Sequence, residues 1–383
     1  MTNANAASVT EKTIVQATGE CSVSCTPLRD CDALAVEWAE LEANAEGGFF
    51  LSWSWIGTWL ASCAVNADIL RVHIDGQLVG LALLVRRKER HYFLTHPAVL
   101  YLNQTGDALQ DQIWIEYNNV LTHRKYHELV LCAAMNFLVQ ERQDWDRLVL
   151  GQVSKKDADF IASISPLGRH NIWDSPSYGV DLDQLRRDKK PYLSALSRNT
   201  RYQIRRSIRH YESVGAVKLE RPDCEAGAQQ MLREIAPLHI ERWGKSLEGS
   251  GFANPQFIAF HEALIRRHWQ AGAVDLIKLS VDASPIAYFY NFIYRGHIYF
   301  YLSGLVNESS QSKLKPGLVG HSLCIQDYLD RGMSFYDFMG GDHRYKRSLA
   351  TRHDHLYRMV LTRSKAFFTA ETLAREVKAW LRG

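Results

Sequence analysis

Two stretches of this chain lie over each other without a gap: DILRVHIDGQLVGLALLV at 68–85 and DLIKLSVDASPIAYFYNF at 275–292. Asp68 meets Asp275, Arg71 meets Lys278, Ile74 meets Val281, Asp75 meets Asp282 and Gly80 meets Ala287. The register persists to HYFL at 91–94 above IYFY at 298–301. A repeat of this length restricts the chain to two copies of one supersecondary unit. Each copy reads as an antiparallel meander. Ile277, Leu279 and Val281 alternate with Lys278 and Ser280, which is the pattern of a half-buried strand. Asp282 to Pro285 turns the chain, as Asp75-Gly76 does in the first copy. Ile286 to Tyr294 is continuously apolar and aromatic and suits a sheet covered on both faces. Arg295-Gly296 turns it again, and 297–303 returns.

Helices precede each meander. Trp55 and Trp59 stand at i and i+4 in GGFFLSWSWIGTWL, and Phe257, Phe260, Leu264 and Ile265 stripe 255–270. A loop, a helix and a short strand follow each meander, over 127–140 with 146–151 and over 317–330 with 334–340. Two hairpins alike by chance are the alternative, and the ungapped length argues against it. The expectation is two α/β domains of one fold, 28–180 and 181–383, joined near 175–190.

The chain has 383 residues, enough for two cores. Its N-terminus, MTNANAASVTEKTIVQATGE, is polar and small and lacks the pattern of a secretory signal, so 1–27 is expected as a disordered tail. The longest apolar run, Leu78 to Val85, is closed by Arg86, Arg87 and Lys88 and falls far short of the roughly 20 residues of a membrane helix. A net charge of +3 argues against a general nucleic-acid coat protein. Seven scattered cysteines do not form a disulfide framework and point to a reducing, cytoplasmic compartment. Cys21, Cys25 and Cys31 do not have zinc spacing, and no metal is expected.

Four segments carry candidate chemistry. FYDFMGGDHRYKRSL (335–349) passes from an apolar strand through Gly340-Gly341 into Asp342, His343, Arg344, Tyr345 and Lys346. Lys315-Pro316-Gly317-Leu318-Val319-Gly320 opens a helix after the last long strand. Its bare N-terminus, with Lys313 and Lys315 beside it, suits a pyrophosphate, and the same residues also read as an ordinary Pro-Gly helix start. LTHRKYHEL, at the matching place in the first half, lacks the glycines. In LSRNTRYQIRRSIRHYE, Arg198, Arg201, Arg205 and Arg209 share a helix face, with Ser197 as N-cap and Ile204, Ile208 and Tyr211 on a packing face. That face is either a surface for anions or simply solvated, and solvated is the commoner case. In LHIERW, His239 and Glu241 precede Trp243. A surface or core histidine is the bland reading there.

These segments, from LSRNTRYQIRRSIRHYE through LHIERWGKSLEGSGF, the strands from Asp275 to Tyr301 and KPGLVG to FYDFMGGDHRYKRSL, resemble one family. In order and spacing they resemble the GNAT-superfamily acyltransferase domain of the bacterial cellulose-biosynthesis (CelD/BcsL-like) group, which is related to the Fem-type aminoacyl transferases. The resemblance covers 190–350 well and the first half more loosely. Its most specific part is Gly341, Asp342, Tyr345 and Lys346. It implies a fold of α+β type with two tandem GNAT-like domains, each a mixed, mainly antiparallel sheet flanked by helices, the first domain degenerate. It implies a sheet splayed between two strands, around Tyr299–Ser303 and Phe335–Met339, that admits acetyl-coenzyme A or another acyl-coenzyme A. Its pyrophosphate would lie at Lys315, Gly317, Leu318, Val319 and Gly320. The usual signature has Gln or Arg before Gly-x-Gly or Gly-x-Ala, and this chain departs from it with Lys315-Pro-Gly-Leu-Val-Gly320.

Acylation by a thioester needs a proton acceptor for the nucleophile, a polarised carbonyl and a proton for the departing sulfur. Asp342 and Glu241 are the base candidates, and Tyr301 and Tyr345 the acid candidates. Asp342 also reads as a turn residue after Gly341, and Tyr345 as a packing residue. His239, Trp243 and Lys346 are expected on the acceptor side, with Lys346 holding an acidic group. The function expected is transfer of an acyl group other than aminoacyl to a small or sugar-type amine or hydroxyl acceptor, in exopolysaccharide or cellulose biosynthesis. Two alternatives stand beside it. One is a Fem-type transferase that uses aminoacyl-tRNA, motivated by the arginine-rich helix and the one case with a nucleic-acid partner. The other is a catalytically silent accessory protein of polysaccharide production. Neither the acceptor nor the oligomeric state is legible.

Overall fold

The computed structural model describes residues 10–16, 19–63, 65–89, 96–306 and 314–363. The first half runs β1 (Thr10–Gln16), β2 (Gly19–Pro27), α1 (Cys31–Asn44), β3 (Ala45–Glu46), α2 (Trp53–Ser62), β4 (Ala67–Ile74), β5 (Gln77–Lys88), β6 (Ala98–Leu102), β7 (Leu121–His123), α3 (His127–Asn136), β8 (Arg147–Ser154), α4 (Lys155–Ile164) and β9 (Gly168–Asp181). The second runs α5 (Leu182–Arg187), α6 (Arg198–Val214), β10 (Val217–Glu220), α7 (Glu225–Trp243), α8 (Pro255–His268), β11 (Val274–Val281), β12 (Ser284–Tyr294), β13 (His297–Leu305), α9 (Pro316–Asp330), β14 (Phe335–Gly340), α10 (Arg344–Leu349) and β15 (Arg352–Thr362).

The overlaid sequences fall on β4–β5 and β11–β12. Their turns need left-handed backbone, with φ of 51° at Asp75 and 52° at Asp282, a region that Asp tolerates better than most residues. Helix starts follow their caps. Ser197 Oγ accepts from the Thr200 N–H at α6, and Asn254 caps α8 with Pro255 at its first position. The stretch 91–94 and Lys313 lie outside the described residues.

All strands belong to one mixed, mostly antiparallel sheet, in the order β1-β2-β4-β5-β6-β8-β15-β9-β14-β13-β12-β11-β10, with β3 and β7 beside it. Read from the two ends, β2-β4-β5-β6-β8 and β10-β11-β12-β13-β14 are equivalent paths. Each is completed by a strand of the other half. β15 pairs with β8, β9 pairs with β14, and β9 and β15 pair with each other from Gly168↔Thr362 to Gly179↔Arg352. The two expected domains therefore exchange their last strands.

The expected tail at 1–27 is corrected in part. Gly19–Pro27 is a strand paired with β4 from Cys21↔Ile74 to Pro27↔Asp68. Val23 is buried there, because Cys21, Val23 and Cys25 alternate toward the core under α3 and α4.

On one face of the sheet, α1, α2, α7 and α8 enclose a core common to both halves. Phe49 stacks on Phe292 with ring centroids 4.4 Å apart, and Trp55 meets Phe260 edge-on at 4.8 Å. On the other face each half has its own core, under α3 and α4 in the first and under α5, α6 and α9 in the second.

Candidate functional site

The parallel pairing of β13 with β14 runs His297↔Phe335, Ile298↔Tyr336, Tyr299↔Asp337 and then stops, although β13 continues to Leu305 and β14 to Gly340. Past Tyr299 the strands diverge, and their facing N–H and C=O groups lose their ladder partners. A cavity of 590 Å³ opens in the gap. Phe300 to Ser303 and Leu305 line one side, Phe338 to Gly340 the other, and Lys315 to Leu318 the end. β14 bulges as it parts. Met339 stands at φ 62°, held by its N–H donating to Asp337 Oδ1 at 2.6 Å.

The start of α9 thus meets the cavity at Lys315, Pro316, Gly317 and Leu318. The first N–H groups of a helix have no acceptor inside it and carry the positive end of its dipole. The two other expected phosphate ligands are corrected. The Val319 N–H bonds to the Lys315 carbonyl at 3.0 Å, and its side chain is fully buried. At Gly320 a Cβ would fall 2.2 Å from the Phe289 ring, so this glycine serves the packing of α9 on β12.

On the acceptor side the expected residues separate. His239 and Trp243, one helical turn apart on α7, both line the cavity. His239 is buried, Ser250 Oγ lies 2.8 Å from its Nδ1, and burial lowers its pKa to about 4. Arg242 lies over the Trp243 ring at 5.1 Å. Glu241, two residues from His239, is turned by some 200° onto the exposed face of α7 and does not line the cavity. Asp342 is also outside it. It is half exposed and accepts from Arg347 Nη1 at 2.9 and 3.0 Å and from the Tyr178 hydroxyl at 3.1 Å. An exposed, paired carboxylate does not meet the requirement for a base in a cleft.

The two tyrosines do line the cavity. Tyr301 donates its hydroxyl proton to the Ile113 carbonyl at 2.6 Å, with His261 Nε2 3.2 Å away. Tyr345 stacks between His321 and His343, and its hydroxyl makes no hydrogen bond among the described residues. Burial raises both phenols well above the ordinary range. Lys346 is buried, and its ammonium donates to the Gly340 carbonyl at 2.6 Å and the Met339 carbonyl at 3.3 Å. It holds the end of β14 in place rather than standing free for an acidic group. Burial lowers its pKa, and Glu116 and Asp337 oppose the shift.

The residue that sequence reasoning missed is Glu116. It lies on the loop after β6 in the first half, lines the cavity, is nearly fully buried and accepts the Gly340 N–H through Oε2 at 2.8 Å. Burial raises its carboxyl pKa, with the Lys346 ammonium opposing. The available signal was a lone acid within WIEYNN, flanked by residues that belong inside.

The equivalent splay of the first half, where β6 and β8 pair only over Val99↔Arg147 to Tyr101↔Val149, is filled. Gln104 packs on Gly151, where a Cβ would meet it at 2.1 Å. Asn118 Nδ2 bonds the Leu102 carbonyl at 2.7 Å. The start of α3 carries His127, bonded to Thr122 and Asp157, in place of bare glycines.

Residues 198–347 match the family model described as acetyltransferase (GNAT) domain. The second half carries a GNAT-type acetyltransferase domain. Solved structures share the fold over most of the chain, both halves included. FemX, at 12% identity and a TM-score of 0.56, covers 86% of this chain and 96% of its own. The C-terminal domain of a putative lysylphosphatidylglycerol synthetase from Agrobacterium fabrum, at 9% identity and a TM-score of 0.53, covers 91% of this chain and 97% of its own. L-PGS from Bacillus licheniformis, at 9% identity and a TM-score of 0.50, covers 88% and 94%. At these identities the likeness is one of fold. No curated protein matches. The GNAT domain contains the splay, the start of α9 and all the cavity residues of α7 and α10, whereas Glu116 lies outside it. No helix among the described residues is long and apolar enough to cross a membrane.

Proposed function

We propose that the chain transfers an acyl group from acyl-coenzyme A to an amine or hydroxyl acceptor in the cleft between β13 and β14. The observation that carries this reading is the arrest of the β13–β14 ladder after Tyr299, which opens a cavity against the start of α9. The residues there fit such a donor. Gly317 presents bare backbone with only Leu305 near its missing Cβ, at 3.2 Å. Lys315 and Arg242 bring positive charge to the same cavity. A cavity of 590 Å³ is of the size that takes a small ligand. The N–H groups of Gly317 and Leu318 would hold the phosphates, and the unpaired edge of β13 would polarise the carbonyl. Tyr345 would give the departing sulfur its proton. His239 and Trp243 would face the acceptor. When bound, the donor supplies the activated acyl carbon, and the protein supplies position, dipoles and proton transfer. An acceptor of sugar type, as in exopolysaccharide or cellulose biosynthesis, remains the reading of the first family resemblance.

A second reading has one observation in its favour. Arg198, Arg205 and Arg209 are exposed along α6, flank the exposed Tyr202, and make no ion pair among the described residues. Such a face suits an RNA-borne aminoacyl donor. FemX and L-PGS share the fold, which is compatible with this donor and does not select it.

Calorimetric titration with acetyl-coenzyme A, beside titration with tRNA at two salt concentrations, separates the readings. Micromolar binding of acetyl-coenzyme A with thiol release on an amine panel supports the first. Absence of that binding with steeply salt-dependent tRNA binding would replace it with the second. Binding without turnover of any acceptor would favour a silent accessory role.

A further inference from the structure

We propose that Glu116, carried by the first half, is the proton acceptor for the nucleophile acylated in the cleft of the second half. This deepens the acyl-transfer reading and rests on it.

The loop after β6 holds Glu116 by more than one means. Trp114 and Tyr117, on either side, both occupy left-handed backbone at φ 47° and 52°, an arrangement that persists only where the surroundings enforce it. Those surroundings cross from one half to the other. The Ile113 carbonyl takes the Tyr301 hydroxyl proton at 2.6 Å. Gln112 accepts from Asn254 at 3.0 Å and donates to the Leu247 carbonyl at 3.0 Å. The loop that carries Glu116 is therefore tied to the second half by side-chain and main-chain hydrogen bonds.

Its surroundings suit proton transfer. Oε2 is committed to the Gly340 N–H, at the point where β14 has left β13. Glu116 makes no other hydrogen bond among the described residues, which leaves Oε1 uncommitted on a side chain that lines the cavity. The groups that face it are the Lys346 ammonium on α10, Asp337 on β14 and the hydroxyls of Tyr117 and Tyr301. Arg242 and Glu248 line the same cavity. Lys346 is within electrostatic reach without forming an ion pair, and burial makes the carboxylate a better base than an exposed one.

In the step, the nitrogen lone pair of an amine acceptor forms the C–N bond to the thioester carbonyl carbon. The C–S electron pair leaves on sulfur. The proton lost by nitrogen goes to Oε1 of Glu116 and passes to water as product departs. The sulfur takes a proton from Tyr345, which recovers one from water.

The test compares wild type with Glu116→Gln and Glu116→Asp, using acetyl-coenzyme A as donor and hydroxylamine and glucosamine as probe acceptors. Expected for Glu116→Gln are a dissociation constant for acetyl-coenzyme A within about two-fold of wild type and thiol release slower by about 10²–10⁴. The acid limb of the rate–pH profile should vanish. Glu116→Asp should restore part of the rate with a displaced limb. Retained donor binding with unchanged rate and profile would overturn this inference alone. A wild type that fails to bind acetyl-coenzyme A, or binds it and releases no thiol, would overturn the acyl-transfer reading and this inference with it.

Discussion

The N–H of Gly340 donates to Glu116 Oε2 at 2.8 Å, tying the last residue of β14 to a loop from the other half of the chain. The cleft is thus finished by the half whose own splay is filled. The second half also needs β9 beside β14 and shares the core around Phe49 and Phe292. Residues 181–383 expressed alone should therefore fail to fold, giving weak far-ultraviolet dichroism and aggregates on gel filtration. Coexpression with 1–180 should restore a soluble complex. A compact, monomeric 181–383 fragment would refute the interdependence.

Phe49→Ala should destabilise both halves together. Its ring is fully buried and stacks on Phe292, which belongs to the other half. Truncating such a phenylalanine costs about 3–5 kcal/mol. Urea unfolding should remain one transition with a lower midpoint. Two transitions, only one of them moved, would show that the halves have separate cores.

The repeat made much of this legible. Strands β4, β5, β11 and β12, the helices before them and the start of α9 follow from period, turn residues and caps, which are local. The exchange of β9 and β15 was not legible, because strand partners as distant as Gly179 and Arg352 leave no local pattern. The site divides in the same way. Gly317 and Leu318, expected at a helix start, do line the cavity, as do His239 and Trp243 from LHIERW, and their roles there are proposals. Asp342 misled, because an acid after two glycines looks the same whether it turns into the cleft or out to Arg347. Glu116 was hidden because irregular backbone between left-handed Trp114 and Tyr117 has no period to read.

Acid should destabilise the protein through buried histidines. His261 lies between the Tyr290 and Tyr301 hydroxyls, each 3.2 Å away, and burial lowers its pKa to about 3. His321 is lowered to about 3 and His239 to about 4, again by burial. All three lie below the value of about 6.5 expected in the unfolded chain. Their neutral forms therefore contribute full stability above about pH 6.5, and that stability drains away as pH falls toward the folded values. Each histidine should add a slope of about 1.4 kcal/mol per pH unit between about pH 6 and pH 4. His261→Phe should lower the slope by one such increment in urea titrations. An unchanged slope would mean that the imidazole is protonated in the folded protein.

Two acids near the cleft should prove dispensable. Glu241 is exposed on the far face of α7, and Asp342 is engaged with Arg347 in an exposed pair. Exposed pairs contribute at most about 1 kcal/mol. Glu241→Gln and Asp342→Asn should each leave thiol release from acetyl-coenzyme A within about three-fold of wild type, with the same pH profile. Loss of the acid limb in Asp342→Asn would move the base from Glu116 to Asp342.

Gly317→Asp separates donor binding from folding. An acidic side chain in the first turn of a helix is favourable to the helix itself, because it faces the positive end of the dipole. The new Cβ would lie 3.2 Å from the tip of the Leu305 side chain, a contact that a small rotation relieves. The melting temperature should therefore stay within about two degrees of wild type. The same carboxylate would stand where the phosphates of the donor are proposed to meet the N–H groups of Gly317 and Leu318. Like charge there, together with loss of the bare backbone, should weaken acetyl-coenzyme A binding by at least about 100-fold in calorimetric titration. Gly320→Asp makes the contrasting control. Its Cβ would strike the Phe289 ring at 2.2 Å, so it should lower the melting temperature sharply. If Gly317→Asp binds acetyl-coenzyme A as tightly as wild type, the start of α9 is not the phosphate site.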